Sequence, residues 1–302
     1  MRFTIIGAGG VGGYYGALLA AAGHEVRVLA RGENLRVITE SGLRVETPDG
    51  AFRATVSATD DAAALGPADI AIVAVKSFAL HEVAAAAARL ASDGAVVLPL
   101  LNGVDAGQRL AAAGVPRERL LDGLTYISAQ RIAPGVIRRT SPFHRVIVGA
   151  SAGDAGKHVD DIVAAFAAAG CEASATTEIQ LELWRKFIFI AAMAAACGLA
   201  RSSIGPVRDA PLGALLLDRA VAEVAAVARA QGITLPAGEE HRVRSQIDRL
   251  PAAMKPSFLL DLQSGGPTEL DALSGTVVRL ARVAGLSTPV HDTALAAFST
   301  AA

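Results

Sequence analysis

The sequence predicts an α/β domain over residues 1–175 followed by an all-α domain over residues 176–302. In the first half, short β-branched runs alternate with Ala-rich helical stretches, and this alternation is typical of right-handed βαβ units with a mostly parallel sheet. Beyond Thr176 no strand pattern returns, and apolar residues recur with a helical period. The change of period sets the boundary, because no low-complexity linker separates the halves.

The first half contains predicted strands of two kinds. Four β-branched runs predict parallel strands at residues 3–6, 25–29, 70–75 and 95–98. A later segment, residues 127–149, alternates between polar and apolar residues on either side of Pro134-Gly135, which predicts an antiparallel hairpin. We expect this hairpin at the far edge of the parallel sheet, followed by a helix at residues 160–169 and a last short strand at residues 172–175.

The second half is predicted to be a set of helices that Gly and Pro residues separate. The expected helices cover residues 181–199, 212–230, 239–250, 257–263, 268–284 and 290–297. Leu215, Leu216 and Leu217 are expected to be buried. The Ala-rich composition of this half also leaves room for a homodimer.

Composition excludes several classes of protein. The 28 Lys and Arg residues against 29 Asp and Glu residues give a formal net charge of −1, so no excess positive charge is available for a nucleic-acid partner. The isolated basic pair Arg138-Arg139 is expected at the surface of the hairpin. The six histidines show no i, i+4 pairing, so no metal site is predicted. The two cysteines, Cys171 and Cys197, form no disulfide framework and suit the reducing cytoplasm.

Two apolar stretches resemble membrane or export segments in composition. The longest uncharged stretch, residues 3–24, is interrupted by seven glycines, so it lacks the continuous apolar region of a signal sequence. The second, residues 187–200, is shorter than the roughly 20 apolar residues that span a bilayer. We therefore predict no membrane association and interpret the second stretch as a buried helix.

A glycine-rich motif directly follows the first predicted strand and precedes a helical stretch. It consists of Gly7, Ala8, Gly9, Gly10, Val11 and Gly12. In a G-x-G-x-x-G motif the first glycine permits a tight turn, the second lets backbone amides approach a pyrophosphate, and the third lets helix and strand pack closely. The N-terminus of the following helix then binds the phosphates. Strand, motif and helix together predict a Rossmann dinucleotide-binding domain.

The residue after the second strand predicts which dinucleotide binds. An NAD site places Asp or Glu about 20 residues beyond the glycines to bind the ribose hydroxyls, whereas this chain has Ala30-Arg31. A guanidinium pairs bidentately with a 2′-phosphate, so Arg31 predicts NADPH as the cofactor. The alternative is that Arg31 is a solvated loop residue. Lys76 ends the third strand, where ligands of this fold bind, and is either a second phosphate contact or an ordinary surface lysine.

Further motifs extend over nearly the whole chain. In order along the sequence they are Leu101-Asn102-Gly103-Val104, Glu182-Leu183-Trp184-Arg185-Lys186, Ser257 and Thr268-Glu269-Leu270-Asp271. Together with the glycine motif, Arg31 and Val75-Lys76, they resemble the ketopantoate reductase (2-dehydropantoate 2-reductase) family. The resemblance implies a Rossmann domain followed by a helical domain related to that of 6-phosphogluconate dehydrogenase, with the active site in the cleft between them. It also implies that NADPH reduces a 2-oxo acid to a 2-hydroxy acid, as in the conversion of ketopantoate to pantoate for pantothenate and CoA biosynthesis.

The resemblance implies roles for four residues. Lys186 corresponds to the family's general acid and Asn102 to the asparagine close to the nicotinamide. Ser257 and Glu269 correspond to substrate-binding residues, and Glu269, expected in the first turn of a helix after Pro267, also orients Lys186. Hydride transfer to a carbonyl leaves negative charge on oxygen, which an ammonium stabilises and protonates, and apolar neighbours are expected to lower the pKa of this lysine. Without the motifs, Lys186 would be interpreted as snorkelling from a helix, Glu269 as a helix-start residue and Asn102 as a turn residue.

Three positions depart from the family pattern. Ile190, Ala194 and Ile204 stand where family members carry asparagines that point into the pocket. Because a pocket without those amides loses hydrogen bonds to a polar substrate, the sequence predicts a more apolar pocket, for a different or bulkier 2-oxo acid, ketone or imine. Two other functions stay open. One is a β-hydroxyacid dehydrogenase or imine reductase of similar architecture, and the other is an NADPH-binding redox sensor without turnover, which the retention of Lys186 and Glu269 opposes.

Overall fold

The computed structural model describes residues 1–150 and 154–299 of the chain. It divides the chain into two compact units, of which the first comprises Met1–Leu101 and Asp105–Ile179. The second unit comprises Asn102–Val104 and Gln180–Ala302. The first unit is α/β and the second is helical, which confirms the predicted fold class. The segment Asn102–Val104 lies in the helical unit, although the sequence places it in the first half.

Strands are found in the first unit only, as far as the chain is described. They are β1 (Arg2–Ile6), β2 (Glu25–Leu29), β3 (Leu43–Thr47), β4 (Gly50–Ala54), β5 (Ser57–Thr59), β6 (Ile70–Val73), β7 (Val96–Pro99), β8 (Asp122–Tyr126), β9 (Ala129–Ala133), β10 (Val136–Arg139), β11 (Arg145–Gly149) and β12 (Glu172–Ala175). The α-helices that accompany them are α1 (Gly10–Ala21), α2 (Gly32–Ser41), α3 (Leu80–Ser92), α4 (Ala106–Ala112) and α5 (Val159–Ala168).

The central sheet has the order β5-β2-β1-β6-β7, and all its strands are parallel. Successive residues of β6 contribute to two different core clusters, one of which includes Leu19 of α1 and the other Leu90 of α3. Because successive side chains of a strand point to opposite faces, helices cover this sheet on both sides. That burial explains why β6 and β7 are continuous apolar runs in the sequence.

A second sheet has the order β12-β11-β8. Strand β11 pairs antiparallel with β8 and parallel with β12. A single bridge between Val97 and Leu120, with the Leu121 amide donating to the Val97 carbonyl at 3.0 Å, connects β7 to the segment that leads into β8. The predicted strand at residues 172–175 and the predicted helix before it are both present, as β12 and α5.

The hairpin around Pro134-Gly135 forms as predicted, with β9 antiparallel to β10. Its predicted position at the edge of the parallel sheet is wrong, because β10 pairs with β3 in a separate sheet of order β4-β3-β10-β9. The sequence did not indicate β3 and β4, which are short, rich in charge and only partly buried. This third sheet packs on α1, where a Cβ at Gly13 would lie 2.7 Å from Ile137 Cδ1.

The basic pair in β10 is divided between surface and interior. Arg138 is exposed and pairs with Glu46 at 2.8 Å, as expected of a surface charge. Arg139 is only 4% exposed, lies with its guanidinium 5.8 Å from the ring centroid of Tyr14, and donates to Asp49 Oδ2 at 3.1 Å. The surface prediction is therefore wrong for Arg139, because the alternation of β10 turns it to the face that packs on α1.

From Ile179 onward the regular elements of the described residues are helices joined by loops. The helices are α6 (Ile179–Ala200), α7 (Ile204–Asp209), α8 (Pro211–Ala230), α9 (Glu239–Asp248), α10 (Ser257–Gln263), α11 (Thr276–Val283) and α12 (Pro289–Ser299), with a π-helical turn (Asp271–Gly275) before α11. Among the described residues, α6 alone is long and apolar enough to cross a membrane, but 72% of its apolar window is buried inside the protein. It is the central core helix of this unit, as the sequence predicts for residues 187–200.

Two local features of this unit are a pair of exposed leucines and a residue with a left-handed backbone. Leu217 of α8 is fully buried, but Leu215 is 43% exposed and Leu212 is 80% exposed, so the predicted burial of the leucine triplet is wrong for Leu215. These two exposed residues are three apart and share the outer face of the helix. At the end of α6, Arg201 adopts a left-handed φ of +48°, and the Ser202 amide donates to the Cys197 carbonyl at 3.1 Å.

Candidate active site and dinucleotide site

The glycine motif forms the turn between β1 and α1. Gly7 has a φ of +107°, a left-handed value that residues with a side chain rarely adopt. A Cβ at Gly12 would overlap the carbonyl oxygen of Gly7 and lie 3.0 Å from Ile5 Cγ2. Glycine at position 7 therefore permits the turn, and glycine at position 12 permits close packing of α1 on β1.

Gly9 has a different environment. It stands at the N-cap position of α1, and a Cβ built on it would meet no atom within 4 Å. The first turn of α1 carries no acidic side chain. Because the amides at a helix N-terminus bind phosphate groups, this open stretch of backbone fits the pyrophosphate of a dinucleotide.

The three candidate cofactor-binding segments lie at one edge of the parallel sheet. The glycine motif follows β1, Arg31 comes two residues after the end of β2, and Lys76 comes three residues after the end of β6. Strands β2 and β6 flank β1 in parallel, so their carboxyl ends lie side by side. Both basic side chains are exposed, and the Arg31 guanidinium pairs with Glu82 at 2.8 Å.

Asn34 supports the glycine motif and was not predicted. This residue of α2 is only 6% exposed, and its Nδ2 donates to the Ala8 carbonyl at 3.3 Å. Its Oδ1 accepts from the Gly135 amide at 2.8 Å. One side-chain amide thus joins the glycine motif to the turn of the β9–β10 hairpin. Its spacing of four from the buried Ile38 was a signal in the sequence, because both lie on the inner face of α2.

In the second unit, three predicted site residues come together. Lys186 is supplied by α6, Asn102 by the segment Asn102–Val104, and Glu269 by the loop before the π-helical turn. Lys186 Nζ donates to Asn102 Oδ1 at 3.0 Å, and Asn102 Nδ2 donates to Glu269 Oε2 at 3.2 Å. The asparagine amide therefore bridges an ammonium and a carboxylate, with its donor and its acceptor each facing the complementary partner.

The electrostatics of this group follow from its burial. Lys186 is 9% exposed and Glu269 is 4% exposed. Burial lowers the pKa of Lys186 to about 8, and the negative charge of Glu269 opposes this shift. Desolvation disfavours the charged form of a lysine, so this ammonium gives up its proton far more readily than a surface lysine does.

Glu269 is not in the first turn of a helix, contrary to the prediction. The helix begins at Asp271 with a π-helical turn, in which the Gly275 amide donates to the Leu270 carbonyl at 3.0 Å. The carbonyl of Glu269 itself accepts from the Leu273 amide at 3.0 Å. The residues before it, Gly265-Gly266-Pro267, do not continue a helix, and the carboxylate is held at the end of this loop.

The remaining predicted residues have varied surroundings. Ser257 opens α10 and its side chain is exposed. Ile190 and Ala194 lie four and eight residues beyond Lys186 on α6 and therefore share its helix face. Ile190 is partly buried, whereas Ala194, at 3% exposed, and the fully buried Ile204 belong to the hydrophobic core of the helical unit. Ile204 therefore packs as a core residue.

Metal and thiol chemistry find no support in the part of the chain that the structure describes. There, no group of three or more His, Cys, Asp or Glu side chains is placed to hold a metal ion. Cys171 and Cys197 are buried free thiols, and burial raises the pKa of each to about 12. Both thiols are therefore protonated, unreactive parts of the packing.

Comparison with known proteins finds one enzyme family matching both units of the chain. The family described as ketopantoate reductase PanE/ApbA matches residues 3–153, and its C-terminal counterpart matches residues 178–301. A 2-dehydropantoate 2-reductase of Halobacterium salinarum is 34% identical over 97% of this chain and 96% of its own length. The crystal structure of a PanE/ApbA family ketopantoate reductase from Ralstonia eutropha JMP134 is 29% identical, with a TM-score of 0.89, and covers 100% of this chain and 98% of its own. The 2-dehydropantoate 2-reductase of Geobacter metallireducens GS-15 is 26% identical with a TM-score of 0.92, and each chain is covered completely.

The family matches and the named relatives make this chain an oxidoreductase of an NAD(P)H-dependent family, with a parallel sheet in one unit and a buried lysine in the other. The family matches span both units, and the relatives are covered along nearly their full length. The chain belongs to the ketopantoate reductase family.

Proposed function

We propose that this chain reduces a small 2-oxo acid to the corresponding 2-hydroxy acid with NADPH, and that 2-dehydropantoate is its first candidate substrate. The observation that carries the proposal is the hydrogen-bonded series Lys186, Asn102 and Glu269, in which a buried ammonium is held by an amide. The name 2-dehydropantoate 2-reductase, printed for full-length relatives, supports the choice of first substrate.

Reduction of a 2-oxo acid requires a proton donor beside the reacting carbonyl. A bound reduced nicotinamide supplies the hydride, and the carbonyl oxygen gains negative charge as the hydride arrives. Lys186 donates its Nζ proton to that oxygen, while Asn102 Oδ1 fixes the direction of the ammonium. With a pKa of about 8, Lys186 is mostly protonated at neutral pH and recovers its proton from water after each turnover.

The preference for NADPH is supported by the end of β2. Arg31 stands where NAD-specific sites place a carboxylate that binds the ribose hydroxyls. A guanidinium favours the 2′-phosphate of NADPH. Lys76, which follows β6 on the other side of β1, is the second proposed phosphate contact.

A second candidate function is the reduction of a more apolar 2-oxo acid, ketone or imine. Ile190 is partly buried and lies on the same face of α6 as Lys186, and its side chain can neither donate nor accept a hydrogen bond. The core positions of Ala194 and Ile204 remove both residues from this argument. The non-catalytic sensor is disfavoured, because a protein that only binds NADPH needs no buried ammonium with its own bridging amide.

The test is a substrate panel that contains 2-dehydropantoate together with aliphatic and aromatic 2-oxo acids, ketones and imines, followed by the consumption of NADPH and of NADH. A kcat/KM above about 10⁴ M⁻¹s⁻¹ for 2-dehydropantoate with NADPH supports the first candidate. That value for an apolar compound, with 2-dehydropantoate at least 100-fold poorer, supports the second. Tight NADPH binding without turnover of any compound overturns both.

Lys186→Met is the matched variant, because it keeps the length of the side chain and removes the ammonium. We expect kcat to fall by about 10²–10⁴-fold, with NADPH affinity, measured by fluorescence titration, unchanged within about twofold. Lys255→Met, at an exposed lysine that donates to Gln263, is the control and should keep full activity. Wild-type turnover by Lys186→Met would exclude Lys186 as the acid.

On this proposal the chain works in the cytoplasm and supplies pantoate for pantothenate biosynthesis when its substrate is 2-dehydropantoate. The two buried free thiols are compatible with a reducing compartment. A homodimer remains a prediction, which size-exclusion chromatography with light scattering tests.

A further inference from the structure

We propose that Glu82 is a specificity-determining residue, which weakens the preference for NADPH over NADH by competing with the 2′-phosphate for Arg31. This inference rests on the proposed function, because it takes Arg31 as the residue that binds the 2′-phosphate. It assigns to an acidic residue of α3 a part in cofactor selection that the sequence did not indicate.

The geometry places Glu82 directly at the candidate phosphate site. Its Oε2 lies 2.8 Å from Nη1 of Arg31. Arg31 precedes α2 and Glu82 lies in the first turn of α3, so the two residues come from elements that follow β2 and β6. Those strands flank β1 and its glycine motif. The ion pair therefore forms at the sheet edge where the dinucleotide binds in this fold.

The charges explain why the two cofactors respond differently. A carboxylate bonded to Arg31 occupies one of its N–H donors and neutralises the charge that attracts a 2′-phosphate. NADH carries only a neutral hydroxyl at that position, so its binding depends far less on whether Arg31 is free of Glu82.

The exposure of the pair sets the size of the effect. The two side chains are 62% and 44% exposed, and an ion pair with that much solvent around it is weak. A 2′-phosphate can therefore displace Glu82, at a moderate loss of affinity. Because exposed charges are screened by salt, the loss should shrink as the ionic strength rises.

The experiment compares Glu82→Gln with wild type by titrating NADPH and NADH at low and at high salt. We expect NADPH to bind about 2- to 5-fold more tightly to the variant at low salt, with NADH unchanged within about 1.5-fold. At 0.5 M salt the gain for NADPH should fall below about 1.5-fold. The matched control is Glu40→Gln, at an exposed carboxylate of α2 that pairs with Arg36 and should change neither affinity.

Arg31→Ala separates this inference from the proposed function. If Arg31→Ala weakens NADPH binding and Glu82→Gln changes neither cofactor, the role of Glu82 is overturned and the NADPH assignment stands. If Arg31→Ala leaves NADPH binding unchanged, the assignment of Arg31 and the inference built on it both fail. In the Arg31→Ala background, Glu82→Gln should no longer improve NADPH binding. An undiminished gain would show that Glu82 does not act through the Arg31 guanidinium.

Discussion

The glycine motif of the first unit and the Lys186 site of the second unit act through different atoms. The motif presents backbone amides, and three of its positions work because a side chain is absent. The Lys186 site presents three side chains, two of which are charged groups less than 10% exposed. An added methyl group therefore disrupts packing at Gly12 in the first region, whereas the removal of polar atoms disrupts the second region.

Adding one methyl group to the motif should produce the largest loss of stability. Gly12→Ala places a Cβ against the Gly7 carbonyl, and overpacking of this kind costs about 1–3 kcal/mol of unfolding free energy. Gly9→Ala is the matched variant, because its Cβ meets open space. It should fold like wild type yet bind NADPH less tightly. Equal thermal unfolding curves for the two variants would contradict the packing argument.

Removing the bridging amide should produce the largest loss of activity after Lys186→Met. Asn102→Ala leaves the buried ammonium without its acceptor, and a hydrogen bond to a charged group contributes about 1.5–3 kcal/mol. We expect kcat/KM to fall by about 10- to 100-fold. A thermal midpoint close to that of wild type would show that the loss of kcat/KM arises at the site and not from unfolding of the variant. A kcat/KM within twofold of wild type would mean that the bridge does not position Lys186.

The pH dependence of kcat/KM distinguishes the buried Lys186 site from a surface ion pair such as Arg229–Glu240. Lys186 acts in its protonated form, so kcat/KM should be constant below its pKa of about 8 and fall as the pH rises above it. Glu269 raises this pKa, so Glu269→Gln should move the falling limb to lower pH. The control is Glu240→Gln, at a surface partner of Arg229, whose profile should coincide with that of wild type. A limb that stays in place in Glu269→Gln would separate Glu269 from the titration of Lys186.

The smallest expected effect lies at the end of α6. Arg201 holds a left-handed φ of +48°, which glycine adopts without strain. Arg201→Gly should therefore stabilise the protein by about 0.5–1 kcal/mol, measured as a higher thermal midpoint. Arg249→Gly, at an exposed helix end with a φ of −84°, should lower the midpoint instead. A lower midpoint for Arg201→Gly would mean that its side chain stabilises α6.

Sequence patterns predicted the elements whose side chains are buried on both sides. The parallel strands are apolar runs because both of their faces are buried, and α6 was recognised as a buried helix for the same reason. Strand β3 was missed, since only Leu43 and Val45 of its five residues are fully buried. Its pairing with β10 joins segments about 90 residues apart, and no local pattern contains that information.

The candidate site was predicted residue by residue, but its arrangement was not. The motifs named Lys186, Asn102 and Glu269, yet nothing in their spacing indicated that the asparagine stands between the two charges. Asn34 and Glu82 were missed because each acts across a contact that only the folded chain creates. The burial of Arg139 was missed for the same reason, since it depends on the third sheet.

The path of the backbone through Asn102–Val104 has a practical consequence. The polypeptide enters the helical unit for three residues, returns to the first unit at Asp105, and leaves it again only after Ile179. A fragment produced from residue 180 onward would contain the lysine and the glutamate but lack the group that joins them. We expect such a truncated polypeptide, even if it folds, to leave the lysine ammonium without its amide partner until a copy of the missing stretch is supplied, and to lack activity in any case because the glycine motif is absent as well.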